Sequence, residues 1–361
     1  MGGGGAERVT ANLANYWADQ GWDITVVTLA PIDLDFYALH PAVKRLCLNL
    51  TSESRHILAG LVQNLRRVMA MRRLLKEISP NIALAVMTGA NVRLALAAWG
   101  LPVVAVGSEH VHPPQFPLGV LWDVLRRYGY GRLHAVAALT IESSEWLLAH
   151  TTAKRVVVIP NAAPWPLPEQ DPKVLTESVC AKGRKILLGV GRLVAQKGFD
   201  WLLDAFAPLA SKHPDWDLVI LGEGPLRSMI EDTVKTMGLG DRVFLPGSVN
   251  NVGAWYERAD LYVMSSRFEG FGNTLAEALA YGLPVISFDC DTGPRDIVRH
   301  EKDGLLVAPG DVNGLALALD RLMGDAGLRA RLSGNATEAR DRFSIRRVTG
   351  MWEDLFEKVA R

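Results

Sequence analysis

Short apolar runs alternate with stretches of helical periodicity along most of the chain. Residues 58–78 repeat apolar side chains at helical spacing and stop before Pro80, which predicts one long helix. Strand-length apolar runs surround such stretches at residues 23–29, 82–87, 103–106, 136–141, 156–159, 185–190, 218–221, 243–245, 261–264, 285–288 and 305–307. Strands that alternate with helices indicate parallel sheets, so the predicted fold class is α/β.

Proline enrichment divides this pattern into two series of strands. The prolines between the two series are Pro160, Pro164, Pro166, Pro168 and Pro172. This composition is typical of a linker. We therefore predict two Rossmann-like domains whose parallel sheets face each other across a cleft. The first covers residues 1–165, the second covers residues 185–342, and residues 166–184 link them.

The start of the chain departs from this pattern. Met1 is followed by four glycines, and the helical pattern begins immediately after them. A glycine-rich loop that opens a helix normally follows a strand. We therefore expect the first strand of the first domain to be missing from this sequence.

Composition narrows the class of protein. The 361 residues are 49% hydrophobic and 22% charged, as is usual for a soluble globular protein. Lys and Arg together number 39, as do Asp and Glu, so no global field attracts nucleic acid. Cys47, Cys180 and Cys290 are far apart, which favours a reducing compartment and excludes a CxxC site. Neither a signal-peptide pattern nor an apolar run of roughly 20 residues is found, so we expect a cytoplasmic location.

The segment from Glu269 to Glu277 combines several features of an anion-binding site. An apolar run leads into a glycine-containing turn, and residues 274–281 then alternate at helical spacing behind Asn273, a suitable N-cap. Free backbone amides at a helix start bind anions. Two carboxylates beside an anion site suggest a ligand with phosphate and hydroxyl groups, such as a nucleotide sugar. A scaffold turn without a ligand is the alternative.

Arg192 and Lys197 form a second candidate group. Both follow the strand-like run 185–190 and precede a helical stretch at 199–210. Ligands of open α/β sheets bind at the carboxyl ends of strands, and a guanidinium together with an ammonium group suits a diphosphate. Two solvated surface cations are the alternative. A nicotinamide enzyme is disfavoured, because the glycine loop lacks its third glycine.

Together these residues resemble the retaining glycosyltransferases of the GT-B fold, in the large family numbered four. Arg192 and Lys197 match its phosphate-binding pair, and Glu269 and Glu277 match its paired glutamates. Further similarity lies in the glycine loop at 3–8, the strand end at 108–110 and the segment at 158–161. The resemblance implies that a helix in residues 343–361 crosses back to the first domain.

The resemblance also implies a division of roles in the second domain. Arg192 and Lys197 would bind the diphosphate, Glu277 the ribose and Glu269 the hydroxyls of the donor sugar. Backbone contacts to the sugar, the distal phosphate and the base would come from Phe271, Gly272, Asn273, Thr274, Gly247 and Ser248.

In the first domain, the resemblance implies an active-site histidine at His110, with His112 as a rival. This histidine would contact the donor sugar or orient the acceptor. Gly4, Gly5 and Arg8 would lie on the acceptor side. The residues predicted to be catalytic are therefore His110, Arg192, Lys197 and Glu269.

Retention in this family is thought to need no protein nucleophile. The acceptor hydroxyl would enter on the face from which the diphosphate leaves, so the protein positions both partners and stabilises the departing charge. Asp289 and Asp291 have the spacing of a metal-binding Asp-x-Asp. Because Arg192 and Lys197 would already supply positive charge, we predict neither a metal nor a cofactor.

The expected partners follow from the resemblance. Residues 289–294 are similar to a subgroup that transfers amino sugars or hexoses to lipid-linked or polysaccharide acceptors. We therefore predict a hexosyl- or N-acetylhexosaminyltransferase with a nucleotide-diphosphate sugar as donor, UDP being favoured, and a glycan or lipid-linked acceptor. The alternatives are a non-catalytic nucleotide-sugar-binding protein, an inactive fragment and a GT-B nucleotide-sugar epimerase.

Basic residues of the first domain provide a candidate membrane surface. Leu58, Leu61, Leu65, Met69 and Leu75 form one face of the helix predicted at 58–78. The cations lie largely off this face: Arg66, Arg67, Arg72, Arg73 and Lys76. A basic amphipathic helix can lie on anionic lipid, here at the inner face of the cytoplasmic membrane. The solvated face of an ordinary core-packing helix is the alternative.

Overall fold

The computed structural model describes residues 4–51, 57–169, 171 and 173–360, and at residues 34, 57 and 58 it describes the backbone. Gly2, Gly3 and Pro172 lie outside the described residues. The chain divides into two compact units. The first comprises Met1–Ala162 and Ile345–Arg361, and the second comprises Ala163–Ser344.

The first unit alternates helices and strands. Its strands are β1 (Thr25–Thr28), β2 (Lys44–Cys47), β3 (Ile82–Val86), β4 (Val104–Glu109), β5 (Ala135–Ala138) and β6 (Val156–Val158). Its helices up to this point are α1 (Gly5–Asp19), α2 (Ile57–Ile78), α3 (Thr88–Ala97), α4 (Val120–Gly129) and α5 (Ile141–His150).

Two of these elements differ from the sequence expectations. The apolar run at 136–141 is not one strand, because Thr140 caps a helix that begins at Ile141: its hydroxyl accepts a hydrogen bond from the Ser143 amide at 3.2 Å. Strand β2 was not predicted, since its sequence Lys-Arg-Leu-Cys carries two cations and is short. Pairing with β1 stabilises it.

The strands of the first unit form two parallel sheets. One has the order β3-β4-β5-β6, and the other pairs β1 with β2. Apolar side chains of α1 pack beneath the strands, among them Leu13 and Trp17 with Val106 and Ala137. The parallel sheets confirm the α/β prediction for this unit.

The second unit contains one parallel sheet covered by helices. Its strands are β7 (Lys185–Val190), β8 (Trp216–Leu221), β9 (Val243–Gly247), β10 (Leu261–Met264), β11 (Val285–Phe288) and β12 (Gly304–Val307). Its helices are α6 (Phe199–Lys212), α7 (Arg227–Thr236), α8 (Val252–Arg258), α9 (Asn273–Ala280), α10 (Pro294–Ile297), α11 (Val312–Gly324), α12 (Ala326–Ala336) and α13 (Ala339–Arg342).

The strand order of this sheet is β12-β11-β10-β7-β8-β9. The first strand, β7, therefore stands in the middle, between β8 and β10. The chain first builds outward from β7 to β9 and then crosses over to build β10 to β12 on the other side. The order is that of a doubly wound Rossmann sheet, and its switch point lies between β7 and β10.

The last helix, α14 (Ile345–Ala360), belongs to the first unit. The Trp17 indole donates a hydrogen bond to Glu353 at 3.0 Å, and Trp352 and Phe356 join the core beneath α1. The described residues of 163–184 belong to the second unit, where the Leu167 amide donates to the Tyr281 hydroxyl at 2.7 Å. None of the helices in the described part of the chain is both long and apolar enough to cross a bilayer.

Candidate active site

The loops after β7 and β10 meet at the switch point of the second sheet. The loop after β7 carries Arg192 and Lys197, and the loop after β10 carries Glu269 and leads into α9. At a switch point the loops of neighbouring strands diverge and leave a crevice at the carboxyl ends, where open α/β sheets bind ligands. The topology thus brings the two groups of predicted residues to one place.

Hydrogen bonds fasten these two loops to each other. The Arg267 amide donates to the Gln196 carbonyl at 2.7 Å, and the Gln196 side chain donates to the Phe268 carbonyl at 2.9 Å. The Ser265 hydroxyl donates to the Lys197 carbonyl at 2.9 Å. Gly198 makes this approach possible, since a Cβ there would lie 2.1 Å from the Ser265 carbonyl oxygen. The loop backbones are therefore held before any ligand arrives.

Lys197 and Glu269 form an ion pair across the switch point. Their Nζ and Oε1 atoms are 2.5 Å apart, and their side chains are 20% and 8% exposed. The Ser266 hydroxyl donates to the same Oε1 at 2.6 Å, and the Thr292 hydroxyl donates to the Glu269 carbonyl at 2.5 Å. The Glu269 carboxylate is thus held by a cation and a hydroxyl, and the Glu269 backbone is held by the loop after β11.

Arg192 is exposed in the same loop as Lys197. Among the described residues, its guanidinium has neither a hydrogen-bond partner nor an ion-pair partner. The Lys197 side chain folds back over the preceding loop, with its Cδ 3.2 Å from the point where a Cβ would stand on Gly191. The loop after β7 therefore carries two different cations. They are the planar Arg192 guanidinium, with five N–H donors, and the partly buried Lys197 ammonium.

Helix α9 begins one residue earlier than predicted. Gly272, with φ 109°, is the N-cap, and Asn273 is the first helical residue. The prediction of Asn273 as N-cap is wrong, because the turn needs a left-handed residue and glycine adopts that conformation without strain. The Tyr262 hydroxyl donates to the Thr274 hydroxyl at 2.7 Å and ties the first turn of α9 to β10.

Glu277 lies in the second turn of α9, since the first turn contains no acidic residue. Its side chain is buried, with 1% of the residue exposed. The Tyr256 hydroxyl donates to its Oε2 at 3.2 Å. This tyrosine, like Ser266 and Thr292, was not identified from the sequence, because its role depends on a contact between separate elements.

Gly247 and Ser248 stand at the carboxyl end of β9. The Gly247 carbonyl accepts a hydrogen bond from the Gly222 amide at 2.9 Å, and the Ser248 residue is exposed. Phe271 is buried and packs edge-on against Phe343, with ring centroids 5.7 Å apart. The phenyl ring of Phe271 therefore anchors the turn. The part of this residue that could contact a ligand is its backbone.

The Asp-x-Asp segment follows β11. Asp289 forms an ion pair with Arg295 at 2.9 Å. The Cys290 thiol between the two aspartates is buried, and desolvation together with the nearby Glu269 carboxylate raises its pKa to about 12. The thiol therefore stays protonated at neutral pH.

His110 directly follows β4 in the first unit. Desolvation lowers its pKa to about 4, so the imidazole is neutral at pH 7. Its rival His112 contacts the Ser143 hydroxyl through Nδ1 at 3.0 Å. The structure thus gives the two histidines different surroundings, and His112 is engaged with α5.

Glu109, the neighbour of His110, was missed by sequence reasoning. It is fully buried, and the hydroxyls of Thr88 and Tyr130 donate to its carboxylate at 2.7 and 2.5 Å. Burial raises the pKa of Glu109. Asn91 donates to the Tyr130 hydroxyl at 3.1 Å and completes the network. Its position, as a charged residue at the end of an apolar strand, could have identified Glu109 as a candidate site residue.

The N-terminal glycine loop is described from Gly4 onward. Gly4 is the N-cap of α1, and its carbonyl accepts a hydrogen bond from the Arg8 amide at 3.1 Å. Gly4 and Gly5 are exposed, and Arg8 is half-buried. These residues belong to the first unit, whereas Arg192, Lys197 and Glu269 belong to the second.

Two family models together cover most of the chain. The model described as Glycosyltransferase Family 4 matches residues 3–164. The model described as Glycosyl transferases group 1 matches residues 173–339, which include Arg192, Lys197 and both glutamates.

Three individual proteins are also similar to this chain. An exopolysaccharide phosphotransferase of Streptomyces coelicolor is 34% identical over 71% of this chain, but the chain spans only 26% of that protein. An α-1,4-N-acetyl-D-galactosaminyltransferase of Campylobacter jejuni, whose name includes a PP-undecaprenol substrate, is 27% identical over 99% of this chain and 96% of its own length. Anabaena HepE, solved in complex with UDP, superimposes with a TM-score of 0.78 at 19% identity and covers 98% of this chain and 96% of its own. On these matches and this fold, the chain belongs to the GT-B glycosyltransferases of family four and is an enzyme that transfers sugars.

Proposed function

We propose that the enzyme transfers a hexosyl or N-acetylhexosaminyl group from a UDP-sugar to a glycan or lipid-linked acceptor, with retention of anomeric configuration. The observation that carries this proposal is the contact between Lys197 and Glu269 across the switch point. It joins a cation suited to phosphate with a carboxylate suited to sugar hydroxyls, within one pre-fastened pair of loops.

Three features would receive the diphosphate of the donor. Arg192 offers an unengaged guanidinium, Lys197 has two N–H donors beyond its bond to Glu269, and helix α9 starts at the end of the loop that carries Glu269. The positive end of the helix dipole adds to this charge. The site could therefore stabilise the charge that develops on a departing diphosphate without reorganising.

Glu269 would bind the sugar. Its Oε1 accepts from Lys197 and Ser266, and no described residue donates to its Oε2. A carboxylate oxygen that is held in place but not saturated is well suited to sugar hydroxyls. Glu277, buried one turn into α9, would hold the ribose.

The chemical step would consist of positioning and charge stabilisation. As the bond from the anomeric carbon to the diphosphate breaks, electrons pass to the phosphate oxygen and the sugar becomes oxocarbenium-like. The acceptor hydroxyl then attacks from the same face, and its proton passes to the departing diphosphate. His110, neutral at pH 7, would orient a hydroxyl by hydrogen bonding, and it would not act as a cation.

A metal ion is not part of this proposal. Arg192, Lys197 and the start of α9 provide the positive charge that a metal would otherwise supply, and Asp289 is paired with Arg295. We therefore expect transfer to continue in EDTA. An absolute requirement for Mg²⁺ or Mn²⁺ would contradict the proposal and would favour Asp289 and Asp291 as ligands.

UDP is proposed on two grounds. The subgroup to which residues 289–294 are similar favours it, and the fold neighbour HepE was solved with UDP. The acceptor class is proposed from the Campylobacter relative, whose name includes a PP-undecaprenol substrate.

We also propose that the enzyme works at an anionic membrane surface. Part of the apolar face of α2 is exposed in the first unit: Leu61, Val62, Leu65 and Met69 are between 47% and 62% exposed, whereas Leu75 packs against a buried cluster. Arg66 and Arg73 are exposed on the same helix. Arg67 and Arg72 are less available, because they donate to the backbone carbonyls of Leu50 and Ala97 at 2.9 and 2.7 Å.

Two measurements test the proposal. A thermal-shift panel of UDP-, GDP- and ADP-sugars should show stabilisation by the UDP series, since a ligand of the folded state raises the melting temperature. NMR of the product formed from an α-linked donor should show an α-linkage. A β-linked product contradicts retention, and stabilisation by GDP- or ADP-sugars alone contradicts the choice of base.

A further inference from the structure

The Arg267 side chain joins the loop after β10 to the loop after β7. Its Nη1 donates a hydrogen bond to the Ala195 carbonyl at 2.6 Å, and its guanidinium donates twice to the Asp200 carboxylate, at 2.9 and 2.6 Å. Asp200 lies in the first turn of α6. One side chain thus binds both the short helical turn that ends at Lys197 and the helix that follows this turn.

Three consecutive carbonyls of this turn accept hydrogen bonds from the loop after β10. Arg267 supplies two of the donors, its Nη1 for Ala195 and its amide for Gln196 at 2.7 Å. The third donor is the Ser265 hydroxyl, which binds the Lys197 carbonyl at 2.9 Å. The backbone that leads into Lys197 is therefore held on the loop after β10 chiefly by Arg267.

Trp201 fixes the plane of the Arg267 guanidinium. The guanidinium carbon lies 3.9 Å from the centroid of the indole, which is within the range of a cation–π contact. The same indole meets the buried ring of Phe288 edge-on, with ring centroids 5.6 Å apart. Phe288 belongs to the main apolar cluster of the second unit. Arg267 is therefore oriented by an aromatic ring that is itself anchored in the core.

The pair of Arg267 and Asp200 is charged at neutral pH. Hydrogen bonds from Arg267 lower the pKa of Asp200, and hydrogen bonds to Asp200 raise the pKa of Arg267. The two side chains are 29% and 45% exposed, so water screens their attraction and the pair by itself contributes little to stability. The more important consequence of the pair is the geometry that it imposes on the two loops.

Arg267 acts close to both members of the ion pair at the switch point. Ala195 precedes Lys197 by two positions, and Arg267 precedes Glu269 by two positions. The bond between Arg267 and Ala195 therefore sets how far apart the loops stand just before the Lys197 ammonium meets the Glu269 carboxylate. Such spacing matters for activity, because a misplacement of about 1 Å at a reacting group can cost roughly 100-fold in rate.

We propose that Arg267 is a positioning residue for sugar transfer, which holds the Lys197 ammonium in register with Glu269, and that Asp200 and Trp201 hold Arg267 in place. The inference rests on the proposed function, because the register of Lys197 matters only if this residue binds the diphosphate. Arg267 acts through Lys197, so its loss should be felt only while Lys197 is present.

A double-mutant cycle with UDP as the probe tests this dependence. Lys197→Ala should weaken UDP binding roughly tenfold or more, since a charged hydrogen bond to the diphosphate is lost. Arg267→Gln should weaken it roughly threefold to tenfold in the wild-type background, but less than about twofold in the Lys197→Ala background. Isothermal titration calorimetry measures the dissociation constants of the four proteins.

A second cycle separates positioning from a general loss of structure. Glu277 lies in α9 and is bound by Tyr256, so the effects of Glu277→Gln and Arg267→Gln on UDP binding should multiply. Arg267→Lys keeps the positive charge but lacks the planar fork that binds Ala195 and Asp200 together, so it should restore only part of the affinity.

Arg321→Gln is the matched control. Arg321 forms a similar two-point ion pair with Glu301, at 2.6 and 3.1 Å, elsewhere in the second unit. Its loss removes a comparable surface pair without touching the loops after β7 and β10. We therefore expect UDP binding to be unchanged in this variant.

The outcomes distinguish this inference from the proposed function. No effect of Arg267→Gln, or an equal effect in both backgrounds, would overturn the inference and leave the donor site in place. Undiminished UDP binding by Lys197→Ala would overturn the proposed donor site, and the inference with it. If Arg267→Gln does not fold, Asp200→Asn takes its place in the cycle, since it keeps the size of the side chain and removes the charge that holds the guanidinium.

Discussion

The two units of this enzyme use the same alternation of helices and strands, but their sheets differ in continuity. In the second unit, β7 lies at the centre of one sheet, and the loops on either side of the switch point are fastened to each other. In the first unit, β1-β2 and β3-β6 are separate sheets with a groove between them. In the second unit, the sheet is continuous through β7, and the candidate crevice lies beside that central strand. In the first unit, the sheet is interrupted, and strand edges and an apolar helix face are exposed.

We therefore expect donor chemistry in the second unit and surface contacts in the first. Substitutions in the second unit should therefore change donor binding and turnover. Those in the first unit, apart from His110, should change stability or association with surfaces and leave donor binding intact. The following predictions test that separation.

The largest effect is expected at the phosphate pair. Arg192→Ala or Lys197→Ala removes a positioned charge from the departing diphosphate. Loss of one preorganised donor typically costs about 2.7–4 kcal/mol of barrier, which is roughly a 100- to 1000-fold loss of kcat. Steady-state kinetics measures this loss. Lys235→Ala is the matched control, since Lys235 is 75% exposed in the same unit and pairs only loosely with Asp232 at 3.6 Å. Near wild-type turnover in both site variants would mean that the donor does not bind in this crevice.

The two glutamates should separate nucleotide binding from use of the sugar. Glu277→Gln should weaken binding of free UDP, whereas Glu269→Gln should spare UDP and weaken use of the UDP-sugar. Hydrogen bonds to charged groups are worth roughly 1.5–3 kcal/mol, so either loss is measurable by calorimetry and kinetics. Equal weakening of UDP binding by both variants would contradict this division of roles.

The exposed face of α2 should bind anionic vesicles. Basic residues near such a surface contribute about 1 kcal/mol each, so the double variant Arg66→Glu and Arg73→Glu should release the protein. High salt should have the same effect because it screens the attraction. Co-sedimentation with anionic and neutral vesicles measures the binding, and UDP binding should not change. If the wild-type protein stays in solution with both vesicles at low salt, the face is an ordinary solvated one.

The last effect, on stability and not on activity, is expected from the titration of His110. The folded state lowers its pKa from 6.5 to about 4 and so favours the neutral ring. Its contribution to stability is therefore fully present above about pH 6.5 and is lost as the pH falls toward 4. Urea unfolding of the wild type and of His110→Gln should show a stability difference that declines across this window. A difference independent of pH would mean that the ring is not desolvated.

Much of the fold could be predicted from the sequence, because periodicity reports how each segment meets the core. The runs at 261–264 and 285–288 match β10 and β11, and α2 begins and ends within one residue of its prediction. Predictions from local sequence were wrong where a contact with another residue determined the secondary structure. Thr140 turned the end of an apolar run into a helix start, and β2 depends on its pairing with β1.

The sequence by itself determined which residue types could bind a nucleotide sugar and that they follow strands. Only the tertiary structure decided that β7 and β10 are neighbours, which places Lys197 against Glu269 although 72 positions separate them. Tyr256 and Glu109 could not be identified from the sequence for the same reason, since each contacts a residue of another element. The physical reason is that propensity and periodicity are local, whereas strand order and the meeting of loops arise from burial of a whole sheet.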